Sequence, residues 1–329
     1  MYRSMWFIVR RLFYSLFLLL GVSVLSFVFL QFAPGNFFDE MRLSPQISRQ
    51  TIADLHRQYG MDKPLPVRYF SWLQSVAKGD WGVSFAYNAP VAPLILERSA
   101  NTLLLTGTAT LLSWTIALPA GILCAVARRR QPWIDHAADL LTTLLLVTPD
   151  LLLALGVLWI ALHTRWLHAG GMLSAELPDE NLWGHLKDLA SHLIGPLIVL
   201  VVGSLPVLLR HVRAAMLDAL DLPCIQAVQA HGISHPRILF RHALPGAAAP
   251  LISLFGFSLG SLLSASLLVE VVMNWPGLGP LLLEAILARD FYVVIAAVMF
   301  SALFLVGGML LADVLLFFLD PRIRTEGIA

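Results

Sequence analysis

Long apolar blocks separated by short polar breaks dominate the chain. Residues 12–32 follow Arg3, Arg10 and Arg11, and residues 99–127 carry no charge over 29 positions before Arg128, Arg129 and Arg130 stop the run. As a helix, 99–127 is about 43 Å long, more than the roughly 30 Å of a bilayer's hydrocarbon core. Further blocks of this kind are 133–163, 193 to about 209, 243–269 and 291–319. They predict six transmembrane helices, with Pro119 and Gly121 placed to bend the second and Pro149 the third. A cleavable leader has an apolar core of roughly 7–15 residues followed by a small-residue cleavage site. Residues 12–32 are longer and QFAPG offers no clear site, so 1–32 reads as a retained first span.

The polar stretches divide by charge. The N-terminus, the 128–130 turn, the segment from Arg210 to Arg241 and the C-terminal Asp320-Pro321-Arg322-Ile323-Arg324 hold twelve of the 22 Lys and Arg. The other ten lie in 33–98, 164–192 and 270–290, seven of them in the long stretch 33–98, which counts little for orientation. Both termini are therefore expected in the cytoplasm, with 33–98, 164–192 and 270–290 outside. The outer stretch 33–98 predicts two short helices, one over 51–59 ended by Gly60 and one over 65–73.

The segment 223–250 is the longest moderately polar interruption in the second half. It predicts two short helices: Pro223 suits a first turn, Gly232 a left-handed stop, Ser234 a cap, Pro236 a second opening turn, and Pro245 a limit to its far end. Ile225, Val228, Ile233, Ile238, Leu239 and Phe240 give it apolar surface outside any span, which this chain or a partner must cover.

Composition sharpens the class. The 329 residues are 58% hydrophobic and 13% charged, and mean hydropathy is +0.76, so the solvent is largely lipid. A net charge of +1 gives no reason to expect nucleic acid. Cys124 and Cys224 both fall at or inside the cytoplasmic face, where no structural disulfide is expected. The organisation is a first span (1–32), an outer loop (33–98), and a five-helix remainder (99–329) that includes the cytoplasmic segment 210–247.

Few residues carry candidate chemistry. Lys63, Lys78 and Lys187 are the only lysines, and none lies in a Gly-x4-Gly-Lys-Ser/Thr loop, so this chain binds no ATP through that motif. Asp150 is expected near the middle of the third span, about 16 Å deeper than Asp139. A charge there costs about 2.5–3.5 kcal/mol. It either faces a path for a cationic substrate or is a structural acid bonded to a neighbouring span. His163, His168, His185 and His192 are spaced by 5, 17 and 7, not as a helical i, i+4 pair, and no metal site is expected from them. Asp313 is expected to pair within the last span. With Asp150 as the one acid placed mid-span and no HExxH motif, an intramembrane hydrolase has little support.

Gln226-Ala227-Val228, three residues, Gly232, nine residues, then His242-Ala243-Leu244-Pro245 resembles the coupling loop of bacterial ABC-transporter permeases. That pattern runs Glu-Ala-Ala, three residues, Gly, nine residues, Ile-x-Leu-Pro; Ala227, Gly232, Leu244 and Pro245 match it, whereas Gln226, Val228 and His242 depart. The segments APG at 33–35, YGMDKPLPVRYFSWL, KGDWGVSF and NWPGLG…EAILARDF…LDPRIR are similar to the dipeptide, oligopeptide and nickel branch. The resemblance implies a type I ABC importer permease fold in the bacterial cytoplasmic (inner) membrane. It implies a second permease, two cytoplasmic ATPases that bind ATP and Mg, and an extracytoplasmic solute-binding protein as partners. It also implies that 223–245 docks the ATPase, and that Glu270, Trp275 and Gly277 line an outer gate or seat the binding protein. For those three, a tight turn anchored by an interfacial tryptophan is the other reading. Peptide and nickel remain open as substrates, and a self-contained secondary transporter is the rival without a docking knob.

Overall fold

The computed structural model describes residues 2–32, 63–164, 166–174 and 181–319. The expected helix over 51–59 and the 33–35 and 320–324 motifs lie outside the described residues. In chain order the elements are α1 (Tyr2–Phe32), α2 (Leu65–Ala77), β1 (Val83–Ser84), β2 (Ala89–Pro90), α3 (Val91–Arg130), α4 (Pro132–Val147), α5 (Asp150–Thr164) and α6 (Leu182–Leu220). They continue with α7 (Pro223–Ala230), α8 (His235–Ile238), a π-helical turn (Leu239–Ala243), α9 (Leu244–Gly246), α10 (Ala248–Val272), α11 (Leu278–Leu287) and α12 (Phe291–Leu319). Helices α1, α3, α6, α10 and α12 are each long and apolar enough to cross a membrane.

The third expected span is not one helix. Helices α4 and α5 together are long and apolar enough, but they meet at an angle of 92°. Pro149 has no N–H to give to the carbonyl four residues back, and its ring pushes the preceding residue out of the helical region. Thr148 accordingly sits at φ −78°, ψ 117°. The expected kink is a full break, and the described residues hold five spanning helices, or six if this bent pair counts as one span. Helix α6 also departs from expectation, because it starts at Leu182 rather than near 193. Leu182, Leu186, Leu189 and Leu193, spaced four, three and four apart, continue its apolar stripe into what reads as loop. At its other end α6 runs on through Arg210, Arg213 and Asp218 to Leu220, as expected.

The chain forms two compact units, one built mainly on 103–275 and 305–319, the other on 13–102 and 276–304. In the first, α6 packs most heavily on α10, then on α4 and α5. Close helix packing relies on missing side chains: a Cβ on Gly256 would run into Ala312 and one on Gly260 into Leu305. Polar groups tie the helices sideways. Arg213 pairs with the buried Asp135, and Arg210 reaches Asp139 at 3.3 Å and the Thr143 hydroxyl at 2.5 Å. Asp313 does not pair within its own span, as was expected of it, but with Arg11 of α1 at 3.0 Å.

In the second unit, Phe27, Trp72 and Ile295 form a core joined by Tyr69, Phe291 and Tyr292. The β1–β2 hairpin pairs Val83 with Pro90 and Ser84 with Ala89. Its turn is fastened to the N-terminal end of α12: the buried Asp290 carboxylate accepts from the Ser84 hydroxyl at 2.6 Å and the Ala86 N–H at 3.0 Å. Tyr87 donates its hydroxyl to Glu284 on α11.

Candidate functional site

The segment after α6 folds into a compact knob. Helix α7 opens on Pro223, the chain turns at Gly232 with φ +75°, and α8 opens with Pro236 in its first turn. This is the helix–break–helix read from the sequence, with two differences. Ser234 holds the cap position with extended backbone, but its side chain makes no cap hydrogen bond. Pro245 does not end the second helix. The helix instead widens into the π-helical turn Leu239–Ala243 and continues through Leu244–Gly246. A proline lacks the N–H of a regular turn and crowds the carbonyl before it, and a wider turn relieves both.

Most of the knob's apolar face is covered by the chain itself. Ile225 (3% exposed), Ile238 (2%) and Leu239 (9%) pack against Ile122 and Ala125 of α3 and Val212, Met216 and Leu220 of α6, with Val228 and Ile233 beside them. This packing fastens the knob to α3 and α6. Phe240 is the exception at 64% exposed. Around it the outward surface includes Cys224, Gln226, Ala227, Gly232 and Pro245, while His242 and Leu244 are half-buried. Gln226 is spent locally, its side-chain N–H2 donating to the Asp221 carbonyl at 3.2 Å. The residues singled out from the sequence thus share one knob.

Asp150 is not in the middle of a continuous helix. It is the first residue of α5, just past the break, and its side chain faces α6, where a Cβ on Gly203 would come within 2.8 Å of its carboxylate. The positive end of the α5 dipole favours a negative charge at this position. The carboxylate lines a cavity of ≈ 180 Å³ shared with Gly203, Ser204, Phe257, Ser258 and Ser261. Ser204 also bonds Ser113 at 2.8 Å, and Ser258 accepts from the Trp114 indole at 2.9 Å, so α3, α6 and α10 converge here.

Glu270 and Trp275 lie inside the core of the chain. Both are fully buried, the Trp275 N–H donates to the Glu270 carbonyl at 2.8 Å, and Trp275 packs in a core with Leu193, Leu200 and Met273. Gly277 is buried at the start of α11. In this chain the turn is an anchored element, with the Glu270 and Trp275 side chains buried and not on its surface. Two of the four histidines do come together, through a residue the sequence reading passed over. Asp188 joins His168 and His192, with ligand atoms of all three within 4.8 Å of one another.

Spanning helices, a knob packed on α3 and α6, and a polar-lined cavity among the helices are the features of a membrane transport subunit of the permease class. Residues 117–325 match the family described as binding-protein-dependent transport system inner membrane component, and residues 4–106 match the N-terminal region of such membrane components. The chain belongs to this family. It is 34% identical over 320 residues to the oligopeptide transport system permease protein AppB of Bacillus subtilis, covering 97% of this chain and 99% of that one. It is 30% identical over 339 residues to the dipeptide transport system permease protein DppB of Escherichia coli, covering 97% and 98%. In fold it resembles a chain of the inward-facing MetNI methionine ABC transporter, with a TM-score of 0.55 at 19% identity over 69% of this chain and 96% of that chain.

Proposed function

We propose that this chain is one permease half of an ATP-driven, binding-protein-dependent importer of di- and oligopeptides in the bacterial cytoplasmic membrane. Both of its ends face the cytoplasm. The observation that carries the reading is the knob: its apolar underside is buried in the chain's own core while Phe240, Cys224 and Ala227 stay outside. A surface mounted in this way suits a partner that pushes, here a cytoplasmic ATPase. Closure of an ATPase pair would move the knob with α3 and α6 and rock the spans between inward-open and outward-open states. A second permease of like fold completes the path, ATP and Mg are bound by the ATPase subunits, and an extracytoplasmic binding protein delivers the solute. The peptide class rests on the relatives named above. Asp150, at the start of α5 and lining the cavity shared with Ser204, Ser258 and Ser261, suits the ammonium end of a peptide.

The test is uptake of labelled dipeptides and of nickel, in parallel, by cells lacking this chain and by cells complemented with it. Restored peptide uptake that depends on the partner ATPase supports the proposal. Restored nickel uptake alone overturns the substrate class, and uptake that persists without the ATPase overturns the importer mechanism in favour of a self-contained transporter.

A further inference from the structure

We propose that His168, Asp188 and His192 form a site for a single transition-metal cation of the zinc type, which staples the segment 166–174 to α6. The site is independent of the knob and of the substrate cavity. Two of its donors are one helical turn apart on α6, and the third comes from the neighbouring segment. Two imidazoles and a carboxylate are the donor set that borderline cations such as Zn²⁺ prefer.

The surroundings hold these side chains as a ligand shell would. His192 is 5% exposed, and its Nδ1 lies 2.9 Å from the Asp188 carbonyl and 3.6 Å from the Asp188 carboxylate; donation to the carbonyl puts the proton on Nδ1 and leaves Nε2 with its lone pair. A backbone carbonyl taking the other ring N–H is the usual outer partner of a metal-bound histidine. Asp188 is oriented twice from the other element. One oxygen accepts from the Ser174 N–H and the other from the Ser174 hydroxyl, both at 2.7 Å. Each oxygen keeps a lone pair for a cation. Nearby, the Gly171 N–H donates to the Asn274 carbonyl at 3.1 Å, so the segment is held at a second point and brings His168 in with it.

The site needs a small adjustment to close. A tetrahedral cation with bonds of about 2.0–2.1 Å draws its ligand atoms to about 3.3 Å from one another. Here they lie within 4.8 Å, and the His168 and His192 rings are stacked with centroids 3.8 Å apart. His168 is the exposed member of the three, so turning its ring exchanges the stack for coordination without disturbing the buried His192. Water fills the fourth position. Neutral imidazoles and one carboxylate leave the bound dication with a net charge of +1, which suits the half-open side of the site.

The experiment uses the full chain purified in detergent, with Zn²⁺ alone as the probe in competition with a chromophoric chelator, and Co²⁺ for its ligand-field spectrum. One Zn²⁺ per chain is expected, with a tetrahedral Co²⁺ spectrum. Ser174→Ala should weaken binding about 10–100-fold, the range for outer partners, and His168→Gln or Asp188→Asn should weaken it more. His163→Gln and His185→Gln should leave it unchanged. His168 is exposed, so its variant is informative even if His192→Gln does not fold; thermal unfolding without metal confirms that each variant is intact. Wild-type affinity no tighter than that of a His168→Gln, Asp188→Asn double variant overturns the proposal. So does binding that is lost with His163 or His185 instead.

Discussion

Gly232 offers a quantitative test of how the knob works. Its φ is +75°, and a Cβ built there meets no atom within 4 Å. The cost of a side chain is therefore backbone strain alone, roughly 1–2 kcal/mol for an L-residue in the left-handed region. At 1.4 kcal/mol per factor of ten, that depopulates the native turn about 5- to 30-fold. Ile225, Ile238 and Leu239 remain anchored, so the loss falls on the outward surface of the knob and not on the fold. Gly232→Ala should lower peptide uptake and substrate-stimulated ATPase activity by several-fold, with the thermal unfolding midpoint of the isolated chain little changed. Gly232→Asn should lie nearer to wild type, because asparagine tolerates this conformation better than other side chains. If alanine has no effect on either activity, the turn does not transmit force. If asparagine is worse than alanine, the constraint is space against a partner and the strain argument is wrong.

Other consequences can be checked separately. Asp150→Asn should reduce uptake of peptides with a free amino terminus more than of N-acylated ones; an equal effect on both classes would make Asp150 a structural acid. Arg213→Ala leaves the buried Asp135 without its cation and should cost about 3–5 kcal/mol, read as a lowered unfolding midpoint in detergent, with Asp135→Asn milder. The Tyr87 phenol is pushed up to about 12, by burial first and then by its hydrogen bond to Glu284. Because its pKa is raised on folding, the stabilisation from Tyr87 is present below about pH 10 and lost as pH rises through about 12. Tyr87→Phe should remove that alkaline loss and leave the range from pH 6 to 9 flat.

Much of this architecture is legible in the sequence because lipid imposes a coarse rule: charge-free blocks longer than a bilayer become helices. The Gly232 turn is legible for a local reason, since glycine between two helix-opening prolines has few other conformations to serve. What escaps depends on magnitude or on distant contacts. Pro149 announces a distortion, yet whether a proline kinks or breaks a helix depends on whether neighbours replace the lost bonds, and here α4 and α5 part by 92°. The resemblance places Glu270 and Trp275 at the outer face, and their burial depends on distant contacts that the local sequence does not show. The metal ligands were missed by looking for histidine pairs. Asp188 and His192 are an i, i+4 pair of mixed type, visible in the sequence, but the approach of His168 is set by the packing of the 166–174 segment.

The central claim is that the outward face of the knob is where an ATPase docks, and the chain carries its own probe for it. Cys224 is exposed on α7 and Cys124 is buried, so a polar maleimide should report on the knob alone. Labelling of Cys224 should be fast in the isolated permease and strongly suppressed once the ATPase subunits are assembled on it, with Cys124 unlabelled in both. Equal labelling rates with and without the ATPase would contradict the account, because the knob would then be open to solvent in the working complex.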